Sequence, residues 1–181
     1  MIKIKRITIE EFENNIYDKY VNLFPEEEQR DWDKVKKTYE AGLERFYAIC
    51  LENDTTIGFF MLEKLNNHPF YLEYFAIFDE YQNMGFGEAS LRLLLKLVVM
   101  DKGIIGEIEK INDNKPDTIR RLKLYEKIGL KKSESEYIVT GVWYNAISNF
   151  KCSKEKLDNY FFDYYKLNFG ADYKDKCKII K

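Results

Sequence analysis

One histidine and three cysteines are all that this 181-residue chain offers as imidazole or thiol. Cys50, Cys152 and Cys177 are odd in number and far apart, so neither a disulfide framework nor a metal-binding spacing is present. The sequence therefore predicts no metal, and free thiols suited to a reducing compartment. Long apolar runs are missing too. The most apolar stretch, residues 91–100, contains Arg92 and Lys96 and is too short to cross a bilayer. Residues Met1 to Arg6 alternate apolar and basic side chains rather than forming the apolar block of a signal peptide. Excess charge is also missing: the net charge is -2, and Lys and Arg are scattered rather than gathered in a stripe. Nucleic acid and membrane are thus not expected partners, and the expected location is the cytoplasm.

What the chain does have is core-forming material. Hydrophobic residues make up 45%, with 14 Tyr and 13 Phe, and 33% charged residues favour solubility. No repeat, low-complexity stretch or linker interrupts it. Alternation predicts a strand over residues 2–9. Phe12, Ile16, Tyr20 and Leu23 then recur at helical spacing, and Pro25 with three following acids predicts a second helix running to Ala41. Residues 45–52 and 56–65 read as a hairpin turned by Asn53-Asp54-Thr55. Residues 70–78 read as an aromatic-rich strand. A mostly buried helix is predicted from Gly85 to about Lys102, with Gly103 as its end. A short strand over 104–108, a polar loop and a helix from Pro116 to Gly129 follow. Residues 130–150 read as two strands, and Ser153 as the cap of a last helix. Whether Lys174–Lys181 is ordered or frayed stays open. One domain over residues 1–150, with a helical extension over 151–181 packed on it, is the simplest account.

The most informative stretch joins the aromatic strand to the greasy helix: Gln82-Asn83-Met84-Gly85-Phe86-Gly87. Glycines let backbone approach a bulky ligand. The first turn of a helix leaves N–H groups unpaired, and the helix dipole adds positive potential there. The pair suits a pyrophosphate. Glycines used only for close packing of a helix start are the other reading of the same spacing. A dinucleotide-binding turn fits less well, because Gly87 is followed by Glu88-Ala89-Ser90 with no third glycine. A P-loop is excluded by the absence of Gly-Lys-Ser/Thr.

Gln82-x-x-Gly85-x-Gly87 resembles the Arg/Gln-x-x-Gly-x-Gly/Ala signature of the GNAT superfamily of N-acetyltransferases, and lies between the strand and helix where that family carries it. Leu124-Tyr125-Glu126-Lys127-Ile128-Gly129-Leu130 resembles the family's second motif, Leu-Tyr-Glu-Lys-x-Gly-Phe. The resemblance covers roughly residues 1–150. It implies an α+β fold: a twisted, mostly antiparallel sheet of about seven strands flanked by helices, with the C-terminal helical extension added. It also implies acetyl-coenzyme A as cosubstrate and a primary amine of a small molecule or peptide as acceptor, attacked directly in a ternary complex. A module of the same fold that binds acyl-coenzyme A or a partner without turnover is the alternative. The assembly expected is a monomer or homodimer.

The resemblance assigns roles residue by residue. Backbone amides of Gln82, Asn83, Met84, Gly85, Phe86, Gly87 and Glu88 would bind the pyrophosphate. Backbone groups of Phe75, Ala76 and Ile77 would hold the pantetheine arm as if it were a strand. Tyr125 would protonate the leaving thiolate, and its bland reading is a core aromatic. Many members carry Asn seven residues before that tyrosine; here the position is Thr118, and Asn112 and Asn114 lie upstream, Asn114 being the candidate coenzyme contact.

Acetylation needs a neutral amine, so a base must take a proton. Glu73 is the first candidate, on a strand where alternation allows it to face a cleft or solvent. Glu107, Glu109 and His68 are weaker ones. Phe24-Pro25-Glu26-Glu27-Glu28 reads either as an attractor for a cationic amine or as a solvated helix start.

Overall fold

The computed structural model describes residues 1–180. Eight strands form a mostly antiparallel sheet in the order β1-β2-β3-β4-β5-β7-β6-β8. The extra strand relative to the expected seven comes from the lysine-rich C-terminus. The chain clusters into two compact units, one of residues Met1–Lys64 with Leu72–Met100, the other of Leu65–Tyr71 with everything from Asp101 on.

The first unit opens with β1 (Ile2–Ile7), antiparallel to β2 (Glu44–Leu51), which pairs in turn with β3 (Thr56–Glu63). β4 (Phe70–Ile77) begins in the second unit and continues in the first from Leu72. Alternate residues Phe46, Ala48, Cys50, Phe59 and Met61 face one cluster with α1 (Ile9–Asn15), α2 (Tyr17–Leu23) and α3 (Trp32–Glu40). The intervening Tyr47, Ile49, Phe60 and Leu62 are buried as well. Burial of both faces explains why these strands read as continuous apolar runs. α4 (Phe86–Leu94) packs against β1 and buries Leu91 and Leu94.

Helix bounds differ from the periodic expectation for local reasons. The stripe over residues 10–22 is cut at Ile16, whose φ of -129° separates α1 from α2. Pro25 opens only a 3-10 turn, Glu26–Glu28; Gln29 is extended, and α3 starts after Asp31, whose carboxylate accepts from Asp33 N–H at 3.1 Å. The long helix gives way to a π-helical turn, Leu95–Val99, and ends at Met100 with φ +52°.

In the second unit β5 (Ile104–Glu109), β7 (Val142–Ser148), β6 (Lys131–Val139) and β8 (Cys177–Ile180) pair antiparallel in that order, with α5 (Pro116–Lys127) between β5 and β6. α6 (Lys154–Phe169) is capped by Ser153 and buries Leu157, Phe161, Tyr164 and Tyr165 in this unit's core. A short α7 (Tyr173–Lys176) leads into β8. The helix is also fixed by polar contacts. Ser135 Oγ and Tyr137 Oη each donate to buried Asp158 at 2.6 Å. These carry the 151–180 segment into the second unit's core rather than leaving it as a tail.

Candidate functional site

The turn after β4 is built to leave a helix end open. Phe78 N–H donates to Ile57 O at 2.9 Å, and a 3-10 turn, Asp79–Tyr81, follows. Gln82 Nε2 then reaches back to Ile77 O at 3.0 Å and to Asp79 Oδ1 at 2.8 Å, tying the loop to the strand it left. Asn83 and Gly85 both take positive φ, +62° and +81°. Gly85 is the N-cap of α4, and no side chain hydrogen-bonds across that cap. A Cβ at Gly85 would meet nothing within 4 Å, so the backbone there faces open space. Positive potential at an uncapped helix end with open backbone in front of it fits an anion such as a pyrophosphate. Met84, two-thirds exposed, is the loop's outermost apolar side chain.

The end of β4 is shaped by its neighbour. A Cβ on Gly58 of β3 would lie 2.3 Å from Ala76 O and 3.1 Å from the Ile77 Cα. Only glycine lets the two backbones come this close. Phe75 stacks on Phe60 at 4.8 Å and 14°, and Ala76 is partly buried.

Glu73 faces neither cleft nor solvent in any simple sense. Its carboxylate is 7% exposed and accepts from Arg30 Nη1 at 2.8 Å. The same nitrogen lies 2.8 Å from Glu44 Oε2 and 2.9 Å from Glu63 Oε1. Three carboxylates thus surround one nitrogen that has two N–H bonds to give. Glu44 Oε1 and Arg30 Nη2 are buried without a hydrogen-bond partner. Burial pushes the Glu44 carboxyl well above the usual carboxylate range, Glu73 adds to it, and Arg30 opposes it. Burial raises Glu73 too, against Arg30. The three carboxylate oxygens lie within 4.8 Å of one another, a spacing that would suit a metal ion, and the Arg30 guanidinium holds the cation position. Arg30 lies between the 3-10 turn and α3; an arginine in an irregular, polar stretch gave no sequence signal that it would be buried against three acids.

In the second unit, Tyr125 lies on α5, half-buried. Burial pushes its hydroxyl up to about 12, with the Arg121 guanidinium opposing. It therefore keeps its proton at neutral pH, as a general acid must. Thr118, at the position where many family members carry Asn, is buried; its hydroxyl donates to Lys115 O at 2.8 Å and accepts from Asn112 N–H at 3.1 Å. Asn114 is exposed, and its N–H donates to Asn112 Oδ1 at 2.9 Å.

The weaker base candidates are all engaged. Glu109 pairs with Lys115 at 2.8 Å and Arg121 at 2.9 Å, and the Lys115 contact holds its carboxyl below the usual range. Glu107 accepts from Tyr71 Oη at 2.6 Å and from Tyr165 Oη. His68 has Asp163 Oδ2 at 3.0 Å and Asn66 O at 2.9 Å. The acids Glu26–Glu28 form the 3-10 turn, and no side chain there caps a helix. Among the described residues no helix is long and apolar enough to cross a membrane.

Residues 10–130 match the model of the acetyltransferase (GNAT) family. No curated protein matches the sequence. Among solved structures, a GNAT-family protein from Bacteroides thetaiotaomicron is similar at a TM-score of 0.77 and 18% identity, over 93% of this chain and 99% of that one. A spermidine N-acetyltransferase from Vibrio cholerae, in complex with CoA and spermine, is similar at 0.59 and 13% identity, over 81% and 94%. An IAA acetyltransferase from Bacillus cereus gives 0.57 and 14%, over 82% and 98%. At these identities the structural likeness speaks for the fold, while the family match spans two-thirds of the chain. With the strand, the tied-back loop and the open helix end where that family's signature falls, the chain belongs to the acetyltransferase (GNAT) family.

Proposed function

We propose that the protein is an N-acetyltransferase that takes the acetyl group of acetyl-coenzyme A and passes it to a primary amine by direct attack. The observation that carries this reading is the uncapped start of α4 at Gly85, held open by Gln82 and free of side-chain obstruction. Amides of the Asn83–Glu88 part of the turn hold the pyrophosphate there; the Gln82 N–H, expected to join them, is instead donated to Asp79 O at 3.2 Å. Backbone groups of Phe75, Ala76 and Ile77 hold the pantetheine arm, with Gly58 keeping the strand end in place. The thioester is the chemistry the cosubstrate supplies.

Tyr125 delivers a proton to the departing sulfur. Its raised pKa keeps the proton available, and a thiolate, whose own pKa is about 8–9 as for cysteine, accepts it only if the hydroxyl is close. Glu73 takes the proton of the attacking amine. Desolvation makes a carboxylate a stronger base, and Arg30 limits how far that goes. Asn114 adds a contact to the coenzyme. The acceptor is a small-molecule or peptide amine; polyamines are the first to try, because one structurally similar enzyme is a spermidine N-acetyltransferase.

The test is thiol release from acetyl-coenzyme A across a panel of polyamines, amino acids and peptide N-termini, with the acetylated product identified by mass. Amine-dependent release with a product 42 Da heavier, the acetyl increment to within about 1 Da, supports the proposal. Tight binding of acetyl-coenzyme A with no release above the buffer rate for any amine would move the protein to the non-catalytic reading.

A further inference from the structure

The buried acids of the first unit outnumber the protons their cation can give them. Glu44 of β2, Glu63 of β3 and Glu73 of β4 all contact Arg30 Nη1, at 2.8, 2.9 and 2.8 Å, and that nitrogen has two N–H bonds. Two of these contacts can be full hydrogen bonds, and the third oxygen finds no proton on that nitrogen. Arg30 Nη2 does not make up the shortfall, because it is buried without a partner. Solvent does not reach the cluster either: the side chains of Glu44 and Glu63 are 0% exposed and that of Glu73 7%. With all three acids ionised, three negative charges would face one positive charge. Buried charge without a counter-charge is costly, and an acid escapes the cost by keeping its proton.

The geometry selects which acid keeps it. Glu44 Oε1 is buried with no hydrogen-bond partner, so an ionised Glu44 would leave a charged oxygen bare. No oxygen of Glu63 or Glu73 is both buried and unpartnered. The phenols packed on Arg30 bring no charge of their own. Tyr20 of α2 accepts from the Arg30 N–H at 3.0 Å, and Tyr74 of β4 donates to Glu28 O at 2.5 Å. Burial raises both, Tyr20 to about 12, so both are neutral at neutral pH.

We propose that Glu44 stands as a neutral carboxylic acid at neutral pH and, by donating its O–H within the acid cluster, keeps Glu73 ionised. Glu44 is then a positioning residue: it acts on the reaction through Glu73. The proposal rests on the reading of Glu73 as the base. One oxygen from each of the three acids lies within 4.8 Å of the other two, which puts Glu63 and Glu73 in reach of the Glu44 proton. A donor beside a carboxylate favours its charged form, whereas a second anion there disfavours it. The acids divide the work: one holds its proton so that its neighbour stays without one, ready for the proton of the amine. Burial and the Glu73 charge both favour the neutral form of Glu44, with Arg30 opposing.

The proton can be seen without turnover. Infrared spectra report the carbonyl stretch of protonated carboxyl groups, and the difference between wild type and Glu44→Gln at neutral pH isolates that of Glu44. A protonated-carboxyl band present in wild type, sensitive to heavy water and lost in Glu44→Gln, is the expected result. In Glu73→Gln the band should titrate away at lower pH, because the anion that holds the proton on Glu44 is gone. The functional readout is the acid limb of kcat/KM. Glu44→Leu, which has no donor, should move that limb up by about one pH unit. Glu44→Gln, which keeps a donor in the same place, should bring it back. A wild type without the band, or a band that Glu44→Gln leaves in place, overturns the proposal. So does an acid limb that moves down in Glu44→Gln, since that shift requires an ionised Glu44 in wild type. A limb at the same pH in wild type and Glu44→Leu overturns the positioning role. If no amine is acetylated, the base reading of Glu73 falls and takes the role of Glu44 with it, while the band still decides where the proton sits. Wild type and Glu73→Gln supply the titration of the band, so a Glu44→Leu protein that failed to fold would not obscure the result.

Discussion

Gln82 Nε2 donates to the carbonyl of Ile77 at 3.0 Å, so the first residue of the glycine motif is fastened to the last residue of β4. This contact fixes the angle at which the chain enters α4. Gln82→Ala keeps every backbone amide of the turn but releases it. The variant loses both side-chain bonds, to Ile77 O and to Asp79 Oδ1, each worth roughly 1 kcal/mol. It should lower the melting temperature by a few degrees, roughly 2–4 °C per kcal/mol, and weaken acetyl-coenzyme A binding about fivefold in calorimetry.

Gly58 makes a prediction of the opposite kind. A methyl group there would meet Ala76 O at 2.3 Å, and backbone cannot move aside cheaply. Gly58→Ala should destabilise by about 1–3 kcal/mol. The thermal melt should fall by several degrees, roughly 2–4 °C per kcal/mol at this size.

Tyr125 is the third case. With its hydroxyl pushed up to about 12, its folded-state pKa lies above the unfolded value of 10.0. The protonated form is therefore favoured by folding, and that contribution is complete below pH 10 and lost between there and 12. Turnover should show no falling limb from this group between about pH 7 and 10. Tyr125→Phe should cut turnover about a hundredfold or more while acetyl-coenzyme A affinity holds. Unchanged turnover in Tyr125→Phe would remove Tyr125 from this role, and a limb near pH 8 that the variant abolishes would contradict the raised pKa instead.

The Arg30 cluster separates a structural role from a catalytic one. Arg30→Ala leaves three buried carboxylates without their cation and should cost about 3–5 kcal/mol. Glu44→Gln removes excess negative charge instead. Glu44 has a folded pKa raised above the ordinary 4.5, so the stability it contributes is full below about pH 4.5 and fades as pH rises. The variant should therefore match or exceed wild type in melting temperature at pH 7–8, with the advantage vanishing toward pH 4.5. Glu73→Gln should fold comparably yet lose turnover, roughly 10²-fold or more if it is the base. Equal turnover in Glu44→Gln and Glu73→Gln would remove Glu73 from that role.

These four cases also mark what the sequence could and could not disclose. Period-2 alternation located β1, the mostly apolar runs of β2 and β3 were legible because both their faces are buried, and period 3.6 located the helices. Gly85 was legible because a left-handed φ leaves a glycine signature. Tyr125 was found by its motif. Arg30 was not legible: its burial depends on residues Glu44, Glu63 and Glu73 from three strands, and a pairing so distant in the chain leaves no local pattern. The breaks at Ile16 and at Leu95–Val99 were missed because apolar spacing continues unbroken through both. β8 was missed because Lys178 interrupts a short apolar stretch that only finds its partner on β6.

Binding of acetyl-coenzyme A to the α4 turn is the central claim, and calorimetry on wild type beside Gly87→Trp tests it most directly. Wild type should bind saturably at one site, and a hundredfold excess of ligand over Kd should add about 2.7 kcal/mol to stability. Gly87→Trp should fold and fail to bind, its indole filling the space in front of the helix end. Equal affinity in the two proteins, or no binding by wild type, would contradict the account.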